Sequence, residues 1–287
     1  MDSVTVQIPA TTANLGPGYD CLGVALQLYN RVTVRRGPGS AAPFQMAEAA
    51  AQVFFKKANL PAFEFDLTIA GDVPRSRGLG SSVTVRLGIL HALNMLGSAP
   101  LGPDSLFRIC AALESHPDNA APAAFGGFTV AGGEKIARFE VAPSLHFVLL
   151  IPDFEIATPD ARRVLPESLD RLAAVRSCAN AARITAAFAS QRYEDLRGAF
   201  ADGLHQPFRK KLIPFLDDVI AAGAGAGALG GFLSGSGSTI CCVTLENPEH
   251  VGAAMLQASG QAGVRVLITQ ADNNGARILL QNHAPLD

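Results

Sequence analysis

The chain has 287 residues, 48% of them hydrophobic, and a formal net charge of −2 at pH 7. Such a length accommodates two modest domains or one large one, with apolar side chains enough for a sizeable core. The near-neutral balance, whose densest basic runs are VRRG at 34–37 and RKK at 209–211, argues against nucleic acid and anionic membrane as partners.

The five cysteines (Cys21, Cys110, Cys178, Cys241 and Cys242) form no CxxC and no Cys/His spacing of zinc type. That scatter suits a reducing compartment better than a disulfide framework. The opening MDSVTVQIPATTANLG lacks a basic segment followed by an apolar one, so no secretory signal is expected. No apolar run reaches the ~18 residues of a bilayer span. The expectation is a soluble, cytoplasmic protein.

In chain order, VTVQIPA alternates as a strand, TTANLGPGYDCLG reads as a polar, Gly-rich loop, and ALQLYNRVTVR resumes the alternation. FQMAEAAAQVFFKKA at 44–58, behind Pro43, has helical composition, and FEFDLTIAG reads as a strand. Helices are expected over 83–97 and 104–113, the latter with Asp104 as N-cap behind Pro103. GGFTVAG and ARFEVA pattern as a hairpin, and LHFVLLIP as a buried strand. After Pro152 the texture turns helical as far as GAG at 223–225. Strands then return at GGFLS, TICCVTL and VRVLITQ, with a helix between the last two. The change predicts an α+β chain in two halves, 1–150 and 151–287, without an internal repeat.

Two stretches carry chemistry. GLGSS at 78–82 opens directly into the 83–97 helix. A helix N-terminus offers unpaired N–H groups and the positive end of its dipole, so Gly78, Leu79, Gly80, Ser81 and Ser82 suit a phosphate cradle; a plain turn with Ser as N-cap is the alternative. There is no GxxxxGK[ST]. The GxGxxG at Gly225, Gly227 and Gly230 follows a helix and precedes a strand, the reverse of the dinucleotide-binding context. The second stretch, ALESHPDNAAPAAFGGF at 112–128, sets Glu114, His116, Asp118 and Asn119 within six residues. A carboxylate there could hold Mg²⁺ beside nucleotide phosphates, and His and Asn a small polar substrate; a helix C-cap is the alternative.

Together these stretches resemble the GHMP kinases. PATTANLGPGYDCLG, PRSRGLGSS and GGFLSGSGSTI stand in the family's order, and HPDNAAPAAFGGF, IATPDARRVLP and QPFRKKLIP are similar to the homoserine kinase branch. The resemblance covers most of the chain. It implies an N-terminal domain like ribosomal protein S5 domain 2 and a ferredoxin-like C-terminal domain, with the active site in the cleft between them. The activity implied is ATP-dependent phosphorylation of the side-chain hydroxyl of L-homoserine, on the route to threonine; another small hydroxylated amino acid or alcohol, or a silent small-molecule-binding relative, are the alternatives. It also implies a possible homodimer.

By resemblance, Pro74, Arg77 and the 78–82 loop hold ATP, with Gln45 near the adenine. Ser82 and Glu114 approach Mg²⁺. Arg162 and Arg209 grip the substrate carboxylate with Thr158 nearby, and Asn14 and Asp20 meet the homoserine end. His116 and Asn119 border the reacting hydroxyl; these two and Asn14 are the catalytic candidates. The types agree with a zwitterionic substrate: an arginine fork binds carboxylate bidentately, and Asp20 suits an ammonium. The chain departs from the family at three places. Val83, Thr84 and Arg86 stand where small residues are usual, Arg86 reading as a structural arginine in a salt bridge or else as a phosphate contact. The stretch before FQMAEAAAQ is short, and Ser238 replaces a common proline, a change expected to affect loop stiffness.

Overall fold

The computed structural model describes residues 2–38, 44–132 and 135–279. Pro43 and most of the short stretch before it lie outside the described residues, as do residue 1 of the first expected half and residues 280–287 of the second. In chain order the elements are β1 (Ser3–Ala13), β2 (Leu22–Arg36), α1 (Gln45–Ala58), β3 (Phe65–Gly71), α2 (Ser81–Leu96), α3 (Pro103–Glu114), α4 (Ala120–Phe125), β4 (Phe128–Gly132) and β5 (Lys135–Phe139). There follow β6 (His146–Ile151), α5 (Thr158–Arg163), α6 (Arg171–Ser190), α7 (Gln206–Arg209), α8 (Leu216–Gly225), β7 (Gly230–Leu233), β8 (Ile240–Thr244), α9 (Pro248–Ser259), β9 (Arg265–Gln270) and β10 (Arg277–Leu279). Among the described residues no helix is long and apolar enough to cross a membrane.

The strands form two antiparallel sheets. The first runs β10-β1-β2-β4-β5, with β3 also on β2; the second runs β7-β8-β6-β9. A division at residue 150 falls within β6, a strand of the second sheet, and β10 returns from the far end of the chain to pair with β1 at Thr5↔Leu279. Val4, Val6 and Ile8 of β1 face α1, α2 and α3, with Ala50, Phe54 and Leu90. The register shifts between Pro9 and Ala10. Proline cannot donate to the ladder, and the bulge re-aims the strand, so Ala10 joins the core between the two sheets instead. There Phe128 of β4 stacks on Phe188 of α6 at 4.2 Å, against Phe147 of β6. A third core packs α8 and α9 on the far face of the second sheet.

Three local expectations change. β1 continues through Thr11 and Thr12 to Ala13, because both hydroxyls are buried and bonded across the layers, to Asn119 Oδ1 at 2.7 Å and to Ser234 at 2.8 Å. Polarity there marks a satisfied interior rather than a loop. Gly102, not Asp104, is the N-cap of α3; Pro103 takes the first helical position, where its missing N–H costs nothing, and Asp104 pairs with Arg108 one turn on. Ser238 is fully buried and donates to Phe154 O at 2.6 Å, so it ties two loops together as well as replacing a stiffer residue.

α2 is apolar almost all round because it lies between the first sheet and α1 and α3. Gly88 lets it approach β2: a Cβ there would stand 2.5 Å from the Val32 side chain. His91 on this helix leaves Nε2 buried without a hydrogen-bond partner among the described residues, and burial lowers its pKa from 6.5 to about 4. As pH falls below 6.5 the unfolded chain takes up this proton before the folded one does. Stability should therefore be full above about pH 7 and fall by up to about 3 kcal/mol between pH 6.5 and pH 4 from this group. Urea midpoints of the wild type and His91→Gln at pH 7 and pH 4.5 check this; the variant should lose less on acidification.

Candidate active site

A cleft of about 410 Å³ opens where the β1–β2 turn, the mouth of α2, the α3–α4 junction and the loops of the second sheet converge. Of the residues singled out from sequence, Asn14, Asp20, Arg77, Gly78, Leu79, Gly80, Ser81, Ser82, Glu114, His116, Asn119, Thr158, Arg162 and Arg209 line it. Gln45 and Pro74 do not. Gln45 is exposed at the first position of α1, and its neighbours Phe44 and Met46 line the cleft with Ile69 and Val85 as an apolar wall.

The 78–82 loop owes its glycines to packing between loops. Gly78 and Gly80 both have left-handed backbones (φ 72° and 67°). A Cβ at Gly78 would stand 2.1 Å from Ser234 O, and one at Gly80 2.1 Å from Thr11 Oγ1. Glycine thus lets three segments close on one another, while the helix mouth stays open. No side chain caps α2, and its first turn holds no acidic residue. The orphan N–H groups there can receive an anion. Arg77 anchors the loop from behind, donating to Pro152 O at 2.9 Å and to Arg75 O at 3.2 Å.

Ser82 donates to Glu114 Oε2 at 3.0 Å, and Arg86, one turn into α2, forms an ion pair with Glu114 Oε1. Arg86 does not line the cleft; Glu114 does. The structural reading of Arg86 holds, and its acidic partner is a cleft residue. At the α3–α4 junction, Asp118 is buried and its Oδ1 receives the Asn119 N–H at 2.9 Å and faces His116 Nδ1 at 2.8 Å. That bond raises the His116 pKa against the opposing effect of burial. Asn119 Oδ1 is held by Thr11.

Asn14, with φ 70°, spends its amide on the fold: Oδ1 accepts from Asp20 N at 3.0 Å and Nδ2 donates to Gly235 O at 2.9 Å. It fixes the turn that presents Asp20. Arg162 holds both oxygens of Asp20, at 2.9 and 3.0 Å, and its Nη1 lies 2.9 Å from the Tyr19 hydroxyl. Arg209 is only 2% exposed, and its partners are neutral: Ala161 O at 3.1 Å, Gly235 O at 3.0 Å and His205 Nδ1 at 3.2 Å. Among the described residues no carboxylate pairs with it. Burial lowers its pKa from the ordinary arginine value. The Tyr19 ring stands between the two guanidinium groups, 5.7 Å from Arg162 and 5.2 Å from Arg209.

Asp118, named in the 112–128 constellation, also lines the cleft. Sequence reasoning did not assign Tyr19, His205, Gly235, Ser236 or the apolar wall; Tyr19 sits inside the quoted PGYD, so its segment was visible although its role was not. Asp20, His116 and Asp118 also lie close enough for one ligand atom of each to fall within 4.8 Å of the others.

Comparisons with known proteins agree with this arrangement. The sequence model of the GHMP kinases N terminal domain matches residues 45–127, and that of the GHMP kinases C terminal region matches 184–262. Among curated relatives, homoserine kinase of Halothermothrix orenii is 35% identical, covering 97% of this chain and 96% of its own. Homoserine kinase of Microchaete diplosiphon is 38% identical, covering 97% and 98%. Among solved structures, homoserine kinase from Cytophaga hutchinsonii superposes with a TM-score of 0.88 at 24% identity over 97% of this chain and 98% of that one. Mevalonate kinase of Methanococcus jannaschii shares the fold at a TM-score of 0.72 and 16% identity, covering 94% and 98%. On these matches, which span nearly the whole chain, the protein belongs to the GHMP kinase family and groups with its homoserine kinases.

Proposed function

We propose that the cleft transfers the γ-phosphoryl group of ATP to the side-chain hydroxyl of L-homoserine, giving O-phospho-L-homoserine for threonine synthesis. The observation that carries this reading is Arg209, a guanidinium buried in the cleft wall with no anionic partner among the described residues. A buried cation calls for an anion, and an arginine fork favours a carboxylate. Beside it, Asp20 and Arg162 neutralise each other. A zwitterion can open that pair, its ammonium meeting Asp20 and its carboxylate Arg162 and Arg209. Thr158 stands at the rim of this end.

The uncapped mouth of α2, with Gly78 to Ser82, suits the ATP phosphates, and Phe44, Met46, Ile69 and Val85 suit the adenine face. His116 and Asn119, fixed by Asp118 and Thr11, border the substrate hydroxyl. In the reaction the hydroxyl oxygen bonds to the γ-phosphorus as the bond to ADP breaks, and the hydroxyl proton is released. Such transfers are accelerated chiefly by positioning and charge stabilisation, and this rigid set of residues supplies both.

Ser82 and Glu114 are adjacent oxygen donors on the cleft wall and fit Mg²⁺, which prefers such ligands and keeps several waters. When bound, the ion neutralises phosphate charge. Arg86 partly neutralises Glu114 and leaves it a weaker ligand than a free carboxylate. We also assign a two-domain division near residue 150, a cytoplasmic location supported by five free thiols, and a homodimer, for which the exposed apolar Leu172 and Val175 of α6 are a natural contact.

ADP release with ATP, Mg²⁺ and L-homoserine, against L-threonine, L-serine and mevalonate, tests the activity. Turnover should be confined to homoserine; turnover with mevalonate instead, or no turnover together with no ATP binding by calorimetry, would overturn the reading. Arg209→Met should raise the KM for homoserine by about 10²-fold and leave the KM for ATP within about threefold. A second prediction concerns stability. Arg86→Met should cost about 1–3 kcal/mol by stranding the half-buried Glu114, and adding Glu114→Gln should recover part of the loss in chemical denaturation.

A further inference from the structure

His205 is fully buried and does not line the cleft, yet it touches both halves of the site. Its Nε2 faces two acceptors, Gly16 O at 2.8 Å and Asp202 Oδ2 at 3.5 Å. Its Nδ1 faces Arg209 Nη1 at 3.2 Å, a group that only donates. These contacts fix the tautomer: the proton sits on Nε2 and the lone pair on Nδ1 receives the arginine. Burial favours this neutral form, pushing the His205 pKa well below the ordinary value against the pull of Asp202. Asp202 is itself spent on the N–H groups of Leu204, His205 and Gln206, which locks the segment carrying the imidazole.

The Gly16 carbonyl belongs to the turn that also carries Asn14, Tyr19 and Asp20. That turn is pressed against the second half of the chain, since a Cβ at Gly16 would stand 2.5 Å from Phe200 O. The Tyr19 ring lies 5.2 Å from the His205 ring. Arg209 Nε is held by Ala161 O and Nη1 by Gly235 O and His205, while Nη2 has no hydrogen-bond partner among the described residues. Without the imidazole, Nη1 keeps a single acceptor, Gly235 O, and its remaining hydrogen-bonded link to the turn that presents Asp20 runs indirectly, through the Asn14 amide on that same carbonyl.

We infer that His205 is a positioning residue: a neutral imidazole that aims Arg209 at the substrate carboxylate and sets its register against Asp20. The inference rests on the carboxylate role proposed for Arg209. It implies that His205 governs selection of the carboxylate rather than of the nucleotide. Neither lysine nor arginine could replace it, since each would set a second cation against Arg209. Of the isosteres, Asn places an amide where Nδ1 lies, keeping the acceptor, whereas Gln places one where Nε2 lies, keeping only the donor to Gly16.

The test compares wild type, His205→Asn, His205→Gln and Arg209→Met, each as the full chain, with L-homoserine and with 3-amino-1-propanol, which has the same amine and hydroxyl but no carboxylate. The readout is the ratio of kcat/KM for the two substrates, with thermal midpoints measured alongside. Losing one hydrogen bond to a charged group corresponds to about a tenfold effect or more. His205→Gln should lower the ratio at least about tenfold, and His205→Asn less than about threefold. An unchanged ratio in His205→Gln, or an equal fall in both variants, overturns the inference. An unchanged ratio in Arg209→Met overturns instead the carboxylate reading on which it rests. Should the variants fail to fold, ¹⁵N chemical shifts of wild-type His205 decide: Nε2–H with a bare Nδ1 at pH 6.5 is expected, and a proton on Nδ1 overturns the inference.

Discussion

The constraint on which the site depends is a positive charge, Arg209, held out of water with no carboxylate paired to it among the described residues. Burying Arg209 is tolerated because carbonyls of Ala161 and Gly235 and the imidazole of His205 replace part of its hydration. Those partners come from α5, the loop after β7 and the segment before α7. Ala161 is set in the core on the far face of the second sheet, while Phe128, Phe147 and Phe188 fill the core between the sheets.

Much of this was legible in the sequence, for physical reasons. Alternation in VTVQIPA and the apolar run of LHFVLLIP report one-sided and two-sided burial, and both became strands. Small residues at the mouth of a helix were readable as an opening, and the 78–82 loop does line the cleft. The reason for the glycines was not readable, because Ser234 and Thr11, which crowd them, are distant in the chain. The same holds for His205 and Gly16, 189 residues apart in the chain, although Arg209 stands only one helical turn from His205. Gln45 does not line the cleft whereas Met46 does, since helical rotation turns the first to solvent and the second inward, a one-residue difference that composition does not reveal. Asp104 was misplaced because proline at the first helical position moves the cap back to Gly102.

Arg86 shows how a departure from a family pattern can be absorbed. An arginine among the apolar residues of a central helix would be costly on its own. It is accommodated because Glu114, at the end of the neighbouring α3, takes its charge, while Ser82 holds the other carboxylate oxygen. One substitution thereby changes the electrostatics of the cleft wall without entering the cleft.

The short strand β10 carries a consequence for how the molecule is made. It pairs Leu279 with Thr5, so the first sheet acquires its outermost strand from the last described residues. During synthesis the rest of that sheet can form early, but β1 must wait as an open edge, with unpaired amides, until nearly the whole chain has emerged. Only then does a three-residue strand cover it. The nascent protein thus passes through a stage in which a long strand rich in valine and isoleucine is exposed to other chains, a stage that ends only when residues 277–279 arrive.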